Sequence, residues 1–335
     1  MKLRAWLTAL GIILALALVV LAYFGGPVGE EIRVPLARGQ SLASFADSLK
    51  AKRVIESPAL FLLFLRASGR ESRIGAGYYT FRKYDHEWRA LGRLLAGPTG
   101  SLEVKITIPE GTTGAEMAGL FADSIGLDSA EFCSLMKDQA FIDSLARIYP
   151  YLAGVKSLEG FLFPDTYFFY KGEKPATLMK RMIERHFSFW TPERLAAAEE
   201  LRLSVPDVIK LASLVERETK LDEERPIIAG IFMNRLRKRM PLASNSALGY
   251  VLGKNPAWLT EEDLMIESPY NTYKRLGLPP TPICNPGLAS IDAVLHPRET
   301  NYLYFVATRE GKHLFSSTYE EHQRNVEKVR ESWGR

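Results

Sequence analysis

Leu211-Ala-Ser-Leu-Val-Glu-Arg-Glu-Thr219 ends a stretch whose apolar residues recur with the period of an α-helix. Val205, Val208, Ile209, Ala212 and Val215 form one stripe. Asp207, just after Pro206, offers a helix start, and Ser204 is a second candidate cap. At about 100° per residue, Glu216 lies roughly 65° from the stripe centre and Glu218 roughly 95° off on the other flank. Lys210 and Arg217 take the opposite, solvated face. A carboxyl beside apolar neighbours loses hydration of its charged form, so its pKa rises toward that of a general acid. Periodicity alone is matched better by two rim charges on an amphipathic helix. Between the two glutamates, it favours Glu216 as the candidate acid.

Working outward from this helix, a second one is expected from Pro226 to Lys238. Proline and glycine then crowd from Ser268 to Gly287. Strands at Tyr302–Ala307 and Lys312–Phe315, joined through Gly311, read as a hairpin, and a helix runs from Thr318 to Trp333. Upstream lie helical stretches at Pro175–Phe189 and Glu193–Leu201, preceded by the aromatic run Leu158–Phe169. Nearer the N-terminus a pattern occurs twice. An alternating run (Glu31–Pro35, Glu103–Pro109) leads through a glycine turn and a hydroxyl cap (Ser41, Thr113) into an amphipathic helix. Gly77-Tyr-Tyr-Thr-Phe81 reads as an intervening strand. Helices mixed with short antiparallel strands imply an α+β fold. The expected divisions are an anchor over 1–27, an α+β module over 28–150 and a mixed α+β domain over 151–335.

The chain has 335 residues, is 47% hydrophobic and 24% charged, and carries a net charge of +4. That surplus is small and dispersed, so nucleic acid is not an expected partner. The tightest basic group, Arg235–Arg239, reads as a solvated helix face. Lys2 and Arg4 precede Ala5–Phe24, which is free of charge, and Glu30-Glu31 follow. Twenty helical residues span about 30 Å, the thickness of a membrane's hydrocarbon core. The charge bias keeps the N-terminus in the cytoplasm and sends the remainder outward. Cys133 and Cys284 are compatible with a disulfide or with two free thiols. The five histidines have no metal-ligand spacing, and no metal site is expected.

Ser268-Pro-Tyr-Asn-Thr-Tyr273 and the proline-stiffened segment after it suit a sugar-binding cleft as well as a structural loop. Rings stack on sugar faces, while Asn and Tyr bond hydroxyl and acetamido groups. Ser244-Asn-Ser246 lacks the companion motifs of penicillin-recognising enzymes, and Gly97-Pro-Thr-Gly100 lacks a phosphate loop's Lys-Ser/Thr tail.

Several segments, in order over the C-terminal half, resemble the YceG-like family of endolytic murein transglycosylases. They are Leu158-Glu-Gly-Phe-Leu-Phe-Pro-Asp-Thr-Tyr167, Leu211–Thr219, Phe232-Met-Asn-Arg-Leu236, Ser268–Tyr273 with Gly277-Leu-Pro-Pro280, Asn285-Pro-Gly287, Ala293–Pro297 and Tyr302–Ala307. The resemblance implies an enzyme of the cytoplasmic (inner) membrane, anchored through residues 5–24. A LysM-like module and a catalytic domain would lie outside. It implies internal cleavage of peptidoglycan glycan strands at the MurNAc–GlcNAc β-1,4 bond, leaving 1,6-anhydroMurNAc ends. Cell-wall synthases become plausible partners, and no cofactor is implied. The family's catalytic glutamate falls on Glu216. Glu218, Ser244, Asn245, Tyr270, Asn271 and Thr272 become candidate substrate-binding residues. One run departs from the family pattern. In Leu242-Ala-Ser-Asn-Ser-Ala-Leu248, Ala243 replaces a glutamine and Asn245 an acid, and Asn245 cannot act as a base. A hydrolytic muramidase with a water positioned by Asn245, and a catalytically weakened peptidoglycan-binding scaffold, are the alternatives this leaves.

Overall fold

The computed structural model describes residues 29–332. The charge-free segment 5–24 lies outside the described residues. Among those described, no helix is long and apolar enough to cross a membrane. The chain divides into two compact units between Val104 and Lys105.

In the first unit, β1 (Glu31–Leu36) pairs antiparallel with β2 (Gly77–Arg82), with Glu31 opposite Arg82 and Leu36 opposite Gly77. The two-residue alternation of a strand puts Val34, Leu36, Tyr79 and Phe81 on one buried face. Helices α1 (Leu42–Ala51), α2 (Pro58–Ser68) and α3 (His86–Leu95) supply Phe45, Leu49, Phe61, Leu65 and Leu94 to the same core. Each such side chain contributes about 1.5–3 kcal/mol when fully buried. Ser41 caps α1 by accepting from Ser44 N, and Ser57 caps α2 by accepting from Leu60 N.

The second unit begins within β3 (Glu103–Thr107), which pairs with β4 (Thr166–Tyr170). Helix α4 (Gly114–Ile125) follows, closed by a capping box between Thr113 and Glu116. The repeated strand–turn–helix is therefore present. Gly39 and Gly111 occupy equivalent left-handed turns at φ +80° and +77°. The two copies do not share a module, and the boundary expected at 150/151 falls at 104/105 instead. The reason is partnership. β3 pairs with β4, about sixty residues downstream, and Phe121 of α4 packs on Phe132 and Phe169, each at 5.4 Å.

Downstream come α5 (Ser129–Leu135), α6 (Gln139–Ala146), α7 (Pro175–Ser188), α8 (Pro192–Glu200), α9 (Val205–Glu218), α10 (Arg225–Arg237), α11 (Asn245–Leu252), α12 (Glu261–Leu264) and α13 (Leu288–Leu295). The hairpin β5 (Tyr304–Ala307) and β6 (His313–Ser316) and then α14 (Tyr319–Ser332) complete the unit. The architecture is α+β, as expected. Helix α9 is the centre of this unit, with Val205, Val208, Ile209, Leu211, Ala212, Ser213, Leu214 and Val215 all buried. It starts at the Ser204 cap, whose Oγ accepts from Asp207 N, rather than at Asp207.

One expectation is corrected here, and one pair of alternatives is decided. Arg235 is buried, not solvated, and donates to Leu242 O at 2.6 Å and Leu303 O at 2.7 Å. A buried guanidinium needs such acceptors, and two unpaired carbonyls supply them. Cys133 and Cys284 are both free thiols. At Gly160 the chain has φ +88°, and a Cβ would fall 2.5 Å from the Pro282 ring. Only glycine lets the 158–163 loop lie this close to the 282–287 segment.

Candidate active site

Glu216 lies in the last turn of α9, and Arg225 is the first residue of α10. A carboxylate is disfavoured at a helix C-terminus and a guanidinium at an N-terminus. The two misplaced charges meet each other: Arg225 Nη1 donates to Glu216 Oε1 at 3.0 Å, with side chains only 7% and 6% exposed. Arg225 also bonds Asp222 Oδ1 at 3.0 Å and Ser290 Oγ at 2.5 Å. Burial alone would lower the Arg225 pKa, but the Glu216 and Asp222 carboxylates outweigh it and raise it. The second Glu216 oxygen, Oε2, accepts from Gly287 N at 3.0 Å. The carboxyl is thus gripped by two donors instead of resting in the apolar surroundings that periodicity predicts. The stripe buries the α9 backbone side, and Arg225 and Gly287 arrive from elsewhere in the chain.

Glu110 reaches the same place from the turn before α4. A Cβ on Gly287 would sit 1.9 Å from Glu110 Oε1 and 2.1 Å from its Cδ, so the Glu110 carboxyl lies directly against this glycine. Gly111 borders Glu216 in turn, since a Cβ there would be 3.4 Å from Glu216 Cγ. Arg217 closes the edge, donating to Gly111 O at 3.3 Å. The Glu110 pKa is raised, first by burial and then by the Glu216 charge, with Arg225 opposing.

Glu218 is half-buried, so neither glutamate is a fully solvated rim charge. Its Oε1 accepts from Ser244 Oγ at 2.6 Å. Burial raises its pKa, opposed by hydrogen bonds from Ser244 and Ser246 and by the charges of His313 and Arg235. Ser244 caps α11, and its N donates to Thr272 Oγ1 at 2.9 Å. Glu218, Ser244 and Thr272 form one connected chain of polar groups. Asn271 is fully buried and braces its own loop, donating to Leu264 O and Ile266 O, both at 2.9 Å. It is therefore not an open cleft residue. Tyr270 bonds Thr281 Oγ1 at 2.8 Å. Asn245 is exposed and accepts from Tyr273 OH at 2.6 Å. Ala243 takes a left-handed conformation at φ +48°, which a Cβ makes uncommon.

Four residues of this region escape helical periodicity: Arg225, Glu110, Asn285 and Glu159. Asn285 uses every side-chain hydrogen-bonding direction. Oδ1 accepts from Gly160 N at 2.9 Å and Leu162 N at 3.0 Å, and Nδ2 donates to Thr112 O at 3.0 Å and Glu159 Oε1 at 2.8 Å. It thereby ties the 110–114 turn and the 158–162 loop to the strand of chain that carries Gly287. Asn285-Pro-Gly287 and Leu158-Glu-Gly160 stand out as motifs, but nothing in the sequence pairs them across 125 positions.

Glu159 is buried, and burial pushes its pKa up to about 7, against hydrogen bonds from Gly114 N, Tyr250 OH and Asn285 Nδ2. Its ordinary value is 4.5. Between those values the folded chain keeps a proton that the unfolded chain releases. Stability therefore falls as pH rises through this window and levels off above it, by about 3 kcal/mol in all. Denaturant unfolding of the full chain at a series of pH values should show this slope, and Glu159→Gln should flatten it. An unchanged slope would count against the assignment.

The sequence model of the YceG-like family matches residues 34–328. An endolytic murein transglycosylase of Bacillus subtilis (strain 168) is 33% identical over 306 residues, covering 89% of this chain and 84% of that protein. An endolytic murein transglycosylase of Streptococcus pneumoniae (D39) is 30% identical over 323 residues, covering 89% of this chain and 58% of that longer protein. The crystal structure of a YceG-like protein from Listeria monocytogenes superposes with a TM-score of 0.62 at 30% identity, over 88% of this chain and 98% of the other. This chain belongs to the YceG-like family.

Proposed function

We propose that this chain is an endolytic lytic transglycosylase of peptidoglycan, with Glu216 as its catalytic acid and base. The observation that carries this reading is the Glu216 carboxyl, aimed by Arg225 and Gly287 N–H, in a chain related to named murein transglycosylases. Each of its oxygens accepts one hydrogen bond and keeps a second lone-pair site. Protonated Glu216 gives its proton to the oxygen joining C1 of N-acetylmuramic acid to N-acetylglucosamine, and the C1–O bond breaks. The resulting carboxylate takes the proton of the muramyl 6-hydroxyl, whose oxygen closes on C1 as a 1,6-anhydro ring. Glu216 ends protonated, and no water, metal or cofactor is consumed. One carboxyl suffices because the nucleophile belongs to the substrate, unlike a two-carboxylate hydrolase.

The finer reading is that residues 5–24 anchor the chain in the cytoplasmic membrane, with the LysM-like first unit and the catalytic unit outside. Its support is the charge-free length of that segment and the flanking Lys2, Arg4 and Glu30-Glu31. Tyr270 and Asn245 are proposed as sugar contacts, and Glu218, Ser244, Asn271 and Thr272 as the frame behind the carboxyl. Cell-wall synthases that make new strands are the proposed partners.

Digestion of purified glycan strands by the full chain, followed by mass spectrometry, tests the activity. Internal fragments with anhydro ends are expected. Reducing ends, heavier by one water, would replace the reading with a hydrolytic muramidase. Binding to the strands without products would leave a scaffold.

A further inference from the structure

We propose that Glu110 is a proton-sharing carboxyl that acts through Glu216, so that the pair holds the one proton the reaction needs. This rests on the assignment of Glu216 as the catalytic acid. Both side chains converge on one glycine. Gly287 N donates to Glu216 Oε2 at 3.0 Å, and the other side of the same residue is covered by Glu110, with Oε1 1.9 Å from where a Cβ would be. The two donors at the site, Arg225 Nη1 and Gly287 N, both serve Glu216. Among the described residues, no hydrogen-bond donor reaches the Glu110 carboxyl. It projects from an exposed turn, where it stays open to substrate and solvent.

Two carboxyls that border one glycine repel each other when both are ionised, which favours a proton shared by the pair. The other charged or titratable groups facing the pair are Arg225 and Asp222 at the entry to α10, Arg217 on α9, and the buried Cys284 thiol. Arg225 and Arg217 moderate the repulsion, and Asp222 adds to it. Burial and the Glu216 charge both raise the Glu110 pKa, as a shared proton requires. In the reaction, the proton passes from the pair to the glycosidic oxygen as the C1–O bond breaks. The pair regains one from the 6-hydroxyl as the O6–C1 bond forms. Atoms and charge balance without a further reactant. The family resemblance points to a single glutamate, whereas the geometry sets a second carboxyl beside it, on the same glycine.

The test is the pH dependence of anhydro-end formation from purified glycan strands, measured with the full chain for wild type, Glu110→Gln, Glu110→Asp and Glu216→Gln. With Glu110→Gln the second carboxyl is gone and the site no longer holds a shared proton against rising pH. The alkaline limb of kcat should move toward acid by about one pH unit, a loss of about ten-fold at neutral pH that shrinks as pH falls. KM should change much less than kcat, and Glu110→Asp should restore part of the shift. A wild-type profile, or a loss equal at all pH values, would overturn the proposal, since a merely structural role lowers the curve without moving it. If Glu110→Gln misfolds, the same comparison is made between Glu110→Asp and wild type, where an unmoved limb overturns the proposal. The outcomes are separable from failure of the underlying assignment. Activity surviving in Glu216→Gln would remove the site itself. An inactive Glu216→Gln beside an unshifted Glu110→Gln would remove only the sharing.

Discussion

Glu216→Gln is expected to lower anhydro-end formation by about a thousand-fold or more while the chain stays folded. A positioned acid–base group contributes about 10²–10⁴-fold by itself. In the proposed mechanism the same group serves both steps, so no second residue takes over its proton transfer. Glutamine keeps the shape and one acceptor oxygen. That oxygen can serve Arg225 Nη1 or Gly287 N, but not both, because the amide NH2 is itself a donor. Arg225 retains Asp222 and Ser290 as partners, so it is not left as an unpaired buried charge. The expected stability cost is therefore limited to about 1–3 kcal/mol for one unsatisfied donor. Product analysis by mass spectrometry and denaturant unfolding of the same preparation check the two halves. Wild-type product yield from a folded Glu216→Gln protein would remove Glu216 from the mechanism.

Asn285→Ala should be the most destabilising change in the second unit outside its apolar core. It strips partners from Gly160 N, Leu162 N, Thr112 O and Glu159 at once. These groups lie in a region that water does not reach, with Asn285 itself 0% exposed. Thr112 O keeps the backbone N–H of residue 285 and Glu159 keeps Gly114 N and Tyr250 OH, so Gly160 N and Leu162 N are the donors left unsatisfied, at about 1–3 kcal/mol each, or about 4 kcal/mol together. Activity should fall further than stability does, because Asn285 fixes the backbone two residues before the Gly287 N–H that holds Glu216. Asn285→Asp sharpens the point. It is isosteric but sets a carboxylate against Glu159, so its deficit should ease as pH falls and either acid is protonated. Denaturant midpoints at acidic and neutral pH read this out. An Asn285→Ala loss below about 1 kcal/mol would show that the loops hold together without it.

Local patterns in the chain foretell much of this molecule. The 3.6-residue spacing marks α9, a proline in the first turn marks the starts of α7 and α10, and the strand–glycine–cap–helix order marks both repeats. Each depends on residues within a turn or two of one another. The placement of Glu216 ahead of Glu218 also follows from helical phase, because phase is a local property.

Other features depend on contacts between distant segments. Arg235 has the spacing of a surface residue but reaches two carbonyls that only the folded chain brings to it. The 105–150 segment joins the second unit because β3 finds its partner at β4. Asn271 has the composition of a sugar contact and is spent on its own loop.

By itself, the sequence determined that this is an α+β protein of the YceG-like family with an acid near the end of a central helix. Only the tertiary structure decided what surrounds that acid. It set Arg225 at the opposing helix end, brought Gly287 across on the Asn285 bracket, and laid Glu110 on the same glycine. The physical reason is range: helical phase acts over a few residues, whereas the electrostatics of a carboxyl are set by whichever charges and dipoles the fold places within a few ångströms of it.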